Sequence, residues 1–216
     1  MALLEDLKWR YATKKMNGQT VPQQKLDYIL EAARLAPSSS GLQQYRVFVI
    51  KQGEKLKQLN DLVFKNFPFN QNQISTCSDL LVWAAFSEYT FERVKMPLNQ
   101  SAIERGLPEN HSDEYIQRLY THFESFDKNW QENHCARQAY LSFGIALMAA
   151  AEQKVDTTPM EGFDKIKMDE FLGIGGDSGL KSVLAMPIGY RDEANDWLVN
   201  LKKCRVPKDE FVTEIM

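Results

Sequence analysis

Cysteine and histidine are scarce in this chain of 216 residues, with three of each. Cys77, Cys135 and Cys204 are odd in number and far apart, which suits reduced thiols in a cytoplasmic protein better than a disulfide framework. No local signature marks any of them as a catalytic nucleophile. His111, His122 and His134 follow no metal-site spacing, although His134 abuts Cys135, and they read as surface or structural residues. No metal site is expected. The opening Met1–Asp6 lacks the basic start and long apolar run of a signal peptide, and no later apolar run is long enough to span a bilayer. Repeats and low-complexity tracts are missing too. Nor is there an excess of positive charge: 26 Lys and Arg face 29 Asp and Glu, which gives no support for a nucleic-acid surface. With 44% hydrophobic and 25% charged residues the composition is ordinary for a globular protein, and the length suits one domain over 1–216.

What the chain does have is one concentrated apolar stretch. Twelve of the sixteen residues from Ala136 to Ala151 are apolar, rich in Ala, Leu and Met and free of proline. That predicts a helix buried on most faces, in a core or against another subunit. It runs into Val155–Asp164, where Pro159 disfavours helix at Thr158 and Gly162 permits backbone geometries closed to other residues. Such a loop is either an ordinary helix–strand connection or a way of holding backbone N–H groups against a ligand.

Elsewhere, Leu3, Leu4, Leu7 and Tyr11 fall at helical spacing and end in the cations Arg10, Lys14 and Lys15. Those cations form either a solvated helix end or, with Thr13, an anion site. Thr20-Val21-Pro22-Gln23 reads as a capping box before a helix through Leu26, Ile29, Leu30 and Ala33. Pro37–Gln44 is dense in hydroxyls and amides. Tyr45–Ile50 reads as a buried strand, 53–65 as a helix, Phe67–Gln73 as an amide-rich loop, and Leu80–Phe86 as a second apolar strand. An irregular excursion is expected over about 90–130, although a helix should begin at Ser112-Asp113-Glu114. Asp164 should cap a short helix ending at Gly173. The run Gly173–Gly179 follows a helix and feeds the strand Val183–Ile188, so it reads as a turn and not as a phosphate-binding loop. The last 25 residues are too polar for a core of their own, yet they carry Trp197 and the alternating Phe211–Ile215. They are expected to pack on a partner subunit.

Four stretches together resemble the oxygen-insensitive NAD(P)H nitroreductase family: Arg10–Lys14, Pro37–Ser40, Pro159–Asp164, and Lys203-Cys204-Arg205 before Pro207. The resemblance spans nearly the whole chain. It implies an α+β homodimer with a mostly antiparallel central sheet flanked by helices, the C-terminal segment extending onto the partner, and FMN bound at the subunit interface. By analogy Arg10, Lys203 and Arg205 hold the FMN phosphate, with Tyr11 and Ala12 beside Arg10. Lys14 reaches the pyrimidine side of the ring, Asn70 bonds its edge, and Gln73 stands where close relatives carry a second ring-facing lysine. Ser38 and Ser39 come from the other subunit, and Pro37 and Gly41 are counted with them among the cofactor-binding residues. Pro159, Met160, Glu161 and Gly162 bring backbone to flavin N5 and O4. Tyr120 and Phe123 are candidates for lining the acceptor channel.

The implied activity passes two electrons from NAD(P)H through flavin N5 to a nitroaromatic, quinone or similar acceptor by a ping-pong mechanism. No side chain is assigned as an acid or base. The alternatives are a flavin reductase, a dihydropteridine-reductase-like enzyme, and a non-catalytic FMN-binding protein. The departures concern the ligand set. Many relatives have His-Ser at Tyr11-Ala12, Asn at Gly41, Trp at Tyr45 and Lys at Gln73. A neutral amide at Gln73 predicts a lower flavin reduction potential than a lysine would give.

Overall fold

The computed structural model of the chain describes residues 2–108 and 110–215. Its centre is a four-stranded sheet in the order β1-β2-β4-β3, antiparallel throughout. The strands are β1 (Tyr45–Lys51), β2 (Asp79–Phe86), β3 (Asp156–Thr157) and β4 (Leu180–Gly189). β2 is apolar on consecutive residues because both of its faces are covered. Leu81, Trp83 and Ala85 point into one core, while Leu80 and Val82 point into the other.

The first core lies under α2 (Gln23–Arg34) and the long α7 (Lys128–Glu152). The second lies under α3 (Glu54–Val63) and α8 (Lys165–Leu172). The Trp83 indole donates to Ser142 Oγ (3.1 Å), which in turn donates to the Ala33 carbonyl (2.9 Å). One polar chain thus ties α7 and α2 to the sheet, satisfying groups that burial would otherwise penalise. At about 1.5 Å per residue, the 25-residue α7 is roughly 37 Å long. Asp127 caps its start by accepting from Trp130 N–H, and its end delivers β3 and the Pro159–Gly162 loop. The expected central helix is therefore present and begins two turns earlier than the apolar run.

Asp164 caps α8 and Gly173 closes it in the left-handed conformation, as expected. The glycine run is indeed a turn. Gly179 has φ +58°, and a Cβ there would fall 2.2 Å from the guanidinium of Arg93, which lies over the Phe86 ring.

Several expectations are corrected. α1 (Ala2–Trp9) stops before Tyr11, and its buried residue is Asp6, paired with Lys154. Among the described residues no side chain caps α2, so the Thr20 capping box does not form; Pro22 stands at its N-cap. β1 is an edge strand with only Tyr45 and Ile50 buried. The amide-rich segment is a helix, α4 (Pro68–Ile74), since Pro68 is preorganised for the first helical position. The excursion is mostly helical, with α5 (Phe91–Glu104) started by Thr90 despite Pro97, then α6 (Asp113–Glu124); Glu109 lies outside the described residues. The tail forms one turn, α9 (Lys208–Phe211), and no strand over 211–215.

Candidate flavin site

After α1 the chain runs as a strap along the sheet edge. Ala12 bridges Thr157 in parallel and Met16 bridges Arg191 in antiparallel fashion, while the Thr158 hydroxyl donates to the Thr13 carbonyl (2.6 Å). The strap carries Arg10 and Lys14 past β3, next to the loop that α7 delivers. The Tyr11 hydroxyl donates to Asp196 Oδ2 (2.9 Å), and Lys14 N–H donates to the same oxygen (2.8 Å). Tyr11 and Ala12 therefore serve the strap itself.

Three cations meet at its start. The Lys203 ammonium donates to the carbonyls of Leu7 and Arg10, closing the end of α1. Burial holds the Arg10 guanidinium below its ordinary pKa, and the nearby Arg205 lowers it further. Lys203 is lowered in the same way, by burial first and then by Arg10 and Arg205. Among the described residues no carboxylate forms an ion pair with any of the three. Asp156 acts on Arg10 from a distance, but its oxygens are already taken by Arg191 (2.6 Å). Among the described residues Arg10 Nε is enclosed and lacks a partner. Converging cations that lack an ion-pair partner among the described residues favour a nearby anion.

Four residues along the strap from Arg10, Lys14 lines a cavity of about 580 Å³ whose lining also includes Phe69, Gln73 and Trp197. Lys14 and Gln73 are thus brought together. Phe69 and Trp197 are 84% and 68% exposed on that lining. The Asn70 amide donates to the Gly162 carbonyl (2.8 Å), and a Cβ on Gly162 would fall 2.8 Å from that amide nitrogen. Met160 pairs with Ala185 in both directions (2.9 Å), so the loop rides on β4. Pro159 is exposed. Among the described residues, neither Glu161 N–H nor Gly162 N–H has an acceptor. Burial, then the Glu161 carboxylate, pushes the Tyr140 hydroxyl up to about 12.

The remaining expected residues lie elsewhere. Ser39 N–H donates to Gln138 (2.9 Å) and the Ser38 hydroxyl accepts from Gln43 N–H (2.9 Å), with Pro37 and Gly41 flanking them. Gln138 stands fourteen residues before Glu152, so this group sits roughly 20 Å up α7 from the end that meets the strap. One chain does not bring the serines to the cations. Phe123 is 3% exposed and stacks on Tyr89 with ring centroids 3.9 Å apart, so in this chain it is core and not a channel wall. The Tyr120 hydroxyl donates to Glu124 (3.1 Å) on the outer side. Sequence reasoning missed Asp156, Arg191, Asp196, Phe69 and Trp197 as residues of the site, because no motif or period announces them.

Residues 7–105 match the model of the nitroreductase family. The resemblance is to the nitroreductase family. The chain is 29% identical to the major NAD(P)H-flavin oxidoreductase of Aliivibrio fischeri, over 98% of this chain and 97% of the relative. It is 22% identical to the oxygen-insensitive NAD(P)H nitroreductase of Salmonella typhimurium, over 95% and 96%. A protein from Exiguobacterium sibiricum, solved in complex with FMN, superposes with a TM-score of 0.81 at 22% identity, covering 99% of this chain and 97% of that one. The nitroreductase fold, helices around a mostly antiparallel sheet, is thus the fold of this chain, as the four motifs implied.

Proposed function

We propose that the chain is an NAD(P)H-dependent flavin oxidoreductase of nitroreductase type that holds one FMN per subunit at a homodimer interface. The observation that carries this reading is the cluster of Arg10, Lys203 and Arg205, three cations that form no ion pair among the described residues, on the same strap as Lys14, which lines a cavity. FMN fits the donor set: a dianionic phosphate meets the cations, and a ring that becomes anionic at N1 and O2 on reduction meets Lys14. Gly162 leaves room that a side chain would fill, and the free Glu161 and Gly162 N–H groups offer donors to the ring.

When bound, FMN supplies two-electron transfer at its N5. The chain's own residues bind and orient. Arg10, Lys203 and Arg205 hold the phosphate, Asn70 stays oriented by Gly162, and Lys14 supplies positive charge. Gln73, neutral and buried, adds none, which lowers the reduction potential relative to a Gln73→Lys variant.

Ser38 and Ser39 reach the ring from the second copy. A dimer is supported by the apolar side chains left uncovered on α7 (Tyr140, Leu141, Met148), α1 (Leu3, Leu4) and the tail (Phe211, Ile215). The tail then extends onto the partner, where the outer edge of β1 pairs with no strand among the described residues. Donor and acceptor use one site in turn, giving ping-pong kinetics. Among the described residues no helix is long and apolar enough to cross a membrane, and we assign the protein to the cytoplasm. Free flavin is a second acceptor class beside nitroaromatics and quinones, favoured by the name of the Aliivibrio fischeri relative.

The test is purification followed by anaerobic addition of NADH or NADPH. A yellow dimer that bleaches, recovers with an acceptor, and gives parallel double-reciprocal lines is expected. A protein that holds FMN but does not bleach is a binding protein, and a colourless monomer that ignores added FMN ends the reading.

A further inference from the structure

We propose that Arg191 is a positioning residue for Arg10: it sets the direction in which Arg10 faces without touching the ligand. The inference rests on the FMN reading above and concerns a residue outside every motif that led to it.

Arg191 stands just beyond β4, at 15% side-chain exposure, against an Asp156 carboxylate that is 3% exposed. It donates to that carboxylate from its backbone N–H (2.8 Å), from Nε (3.0 and 3.1 Å) and from Nη2 (2.6 Å). Thr13 Oγ1 supplies a further donor at 3.2 Å. The guanidinium carbon also lies 4.3 Å from the Trp9 ring centroid and 4.6 Å from that of Tyr11. Both distances are within cation–π range.

Trp9 and Tyr11 are the two neighbours of Arg10 in the chain. With both of their rings turned onto one guanidinium, the residue between them is left to project the other way. The cations that act on it are Lys203, whose ammonium donates to the Arg10 carbonyl, and Arg205. Arg191 thus converts a buried ion pair at the sheet edge into an orientation for the next cation along the strap. A lysine keeps the charge but cannot fork onto a carboxylate and stack on two rings at once.

The experiment uses the dimeric protein stripped of flavin, titrated with FMN and with riboflavin while thermal unfolding is followed in parallel. Arg191→Lys keeps a cation opposite Asp156. Trp9→Leu removes one face of the stack and leaves the ion pair whole. In Arg191→Lys the preference for FMN over riboflavin should fall at least about 10-fold, the loss of one charge-assisted phosphate contact, with riboflavin affinity unchanged. Trp9→Leu should shift the preference the same way by less. Equal weakening of both flavins, or an unchanged preference, means that Arg191 serves the fold alone and overturns the proposal. If Arg191→Lys does not fold, Trp9→Leu decides by the same criterion. A wild-type protein that binds FMN no better than riboflavin would instead remove the phosphate reading beneath it, which the unmodified protein reveals before any variant is made.

Discussion

Replacing Arg205 and Lys203 one at a time separates a cation that only binds from one that also holds the fold. Among the described residues the Arg205 guanidinium donates only to its neighbour's carbonyl, Cys204 O, at 2.7 Å. Arg205→Ala should therefore leave the flavin-free protein as stable as before. A charge-assisted hydrogen bond is worth about 1.5–3 kcal/mol. At about 1.36 kcal/mol per tenfold change, FMN should bind roughly 10- to 150-fold more weakly. Riboflavin, lacking the phosphate, should bind as before. Lys203→Ala should show the same selective loss with a second effect added. Its ammonium closes the Leu7 and Arg10 carbonyls at the end of α1, which the variant leaves open. The flavin-free protein should then unfold at lower temperature, and riboflavin affinity should drop modestly as the strap loosens. Fluorescence-quenching titrations at low ionic strength measure both affinities, and the FMN-specific loss should shrink as salt rises. Equal weakening of FMN and riboflavin in Arg205→Ala would refute the assignment of this cluster to phosphate.

Other expectations follow from individual contacts. Gly162→Val places a β-branched side chain 2.8 Å from Asn70 Nδ2 and 3.3 Å from Phe67 at its first carbon. Overpacking of this sort costs about 1–3 kcal/mol, so titrations should show both flavins weakened alike, while Glu161→Gln is tolerated. In thiol labelling of the native protein only Cys204 should react quickly, and bound FMN should slow it. Cys77 and Cys135 are buried, with thiols pushed up to about 12 and about 11, and should react only after unfolding. The alkaline side of pH has two opposite signs. Lys203 is lowered below the ordinary 10.5 by burial, then Arg10, then Arg205, so the unfolded chain binds its proton more readily. The Lys203 contribution to the stability of the flavin-free protein, isolated by comparison with Lys203→Ala, should therefore rise as pH climbs through the lowered value toward 10.5, against the fall imposed by the raised Cys77 and Cys135 thiols, whereas FMN affinity, which needs the ammonium, should fall over that interval. Melting curves and FMN titrations across that range test both.

What the sequence disclosed follows from what periodicity can encode. Leu26, Ile29 and Ala33 fix a helix because their spacing is local, and the long apolar run before Glu152 fixes α7 for the same reason. Tyr45–Ile50 could be identified as a strand but not as an edge, since an apolar run does not count its neighbours. Phe67–Gln73 looked like a loop because amides are abundant in loops, but Pro68 at the first helical position outweighed composition. Two prolines, Pro97 and Pro108, make the start of the expected excursion look irregular, yet Thr90 starts a helix and Pro97 sits inside it. The cations Arg10, Lys203 and Arg205 were legible through the family resemblance and do converge. Asp156 and Arg191 were not, because they are 35 positions apart and their pairing depends on the register of β3 against β4. The separation of Ser38 from the cations was equally hidden, being a matter of how far α7 reaches.

The double coverage of β2 has a cost off the native pathway. Leu80-Leu81-Val82-Trp83-Ala84-Ala85 is uncharged, free of proline and rich in strand-forming residues, the pattern of a segment that self-associates when exposed. In the native protein all six are buried between two hydrogen-bonded neighbours. Only Asp79 at one end and Glu88 just past the other stand as charged guards. Refolding from denaturant should therefore lose yield steeply as protein concentration rises, and a lysine at Ala85, near the open end of the strand, would trade native stability for solubility of the unfolded chain. The strand on which both cores depend is also the stretch that most needs to be hidden quickly.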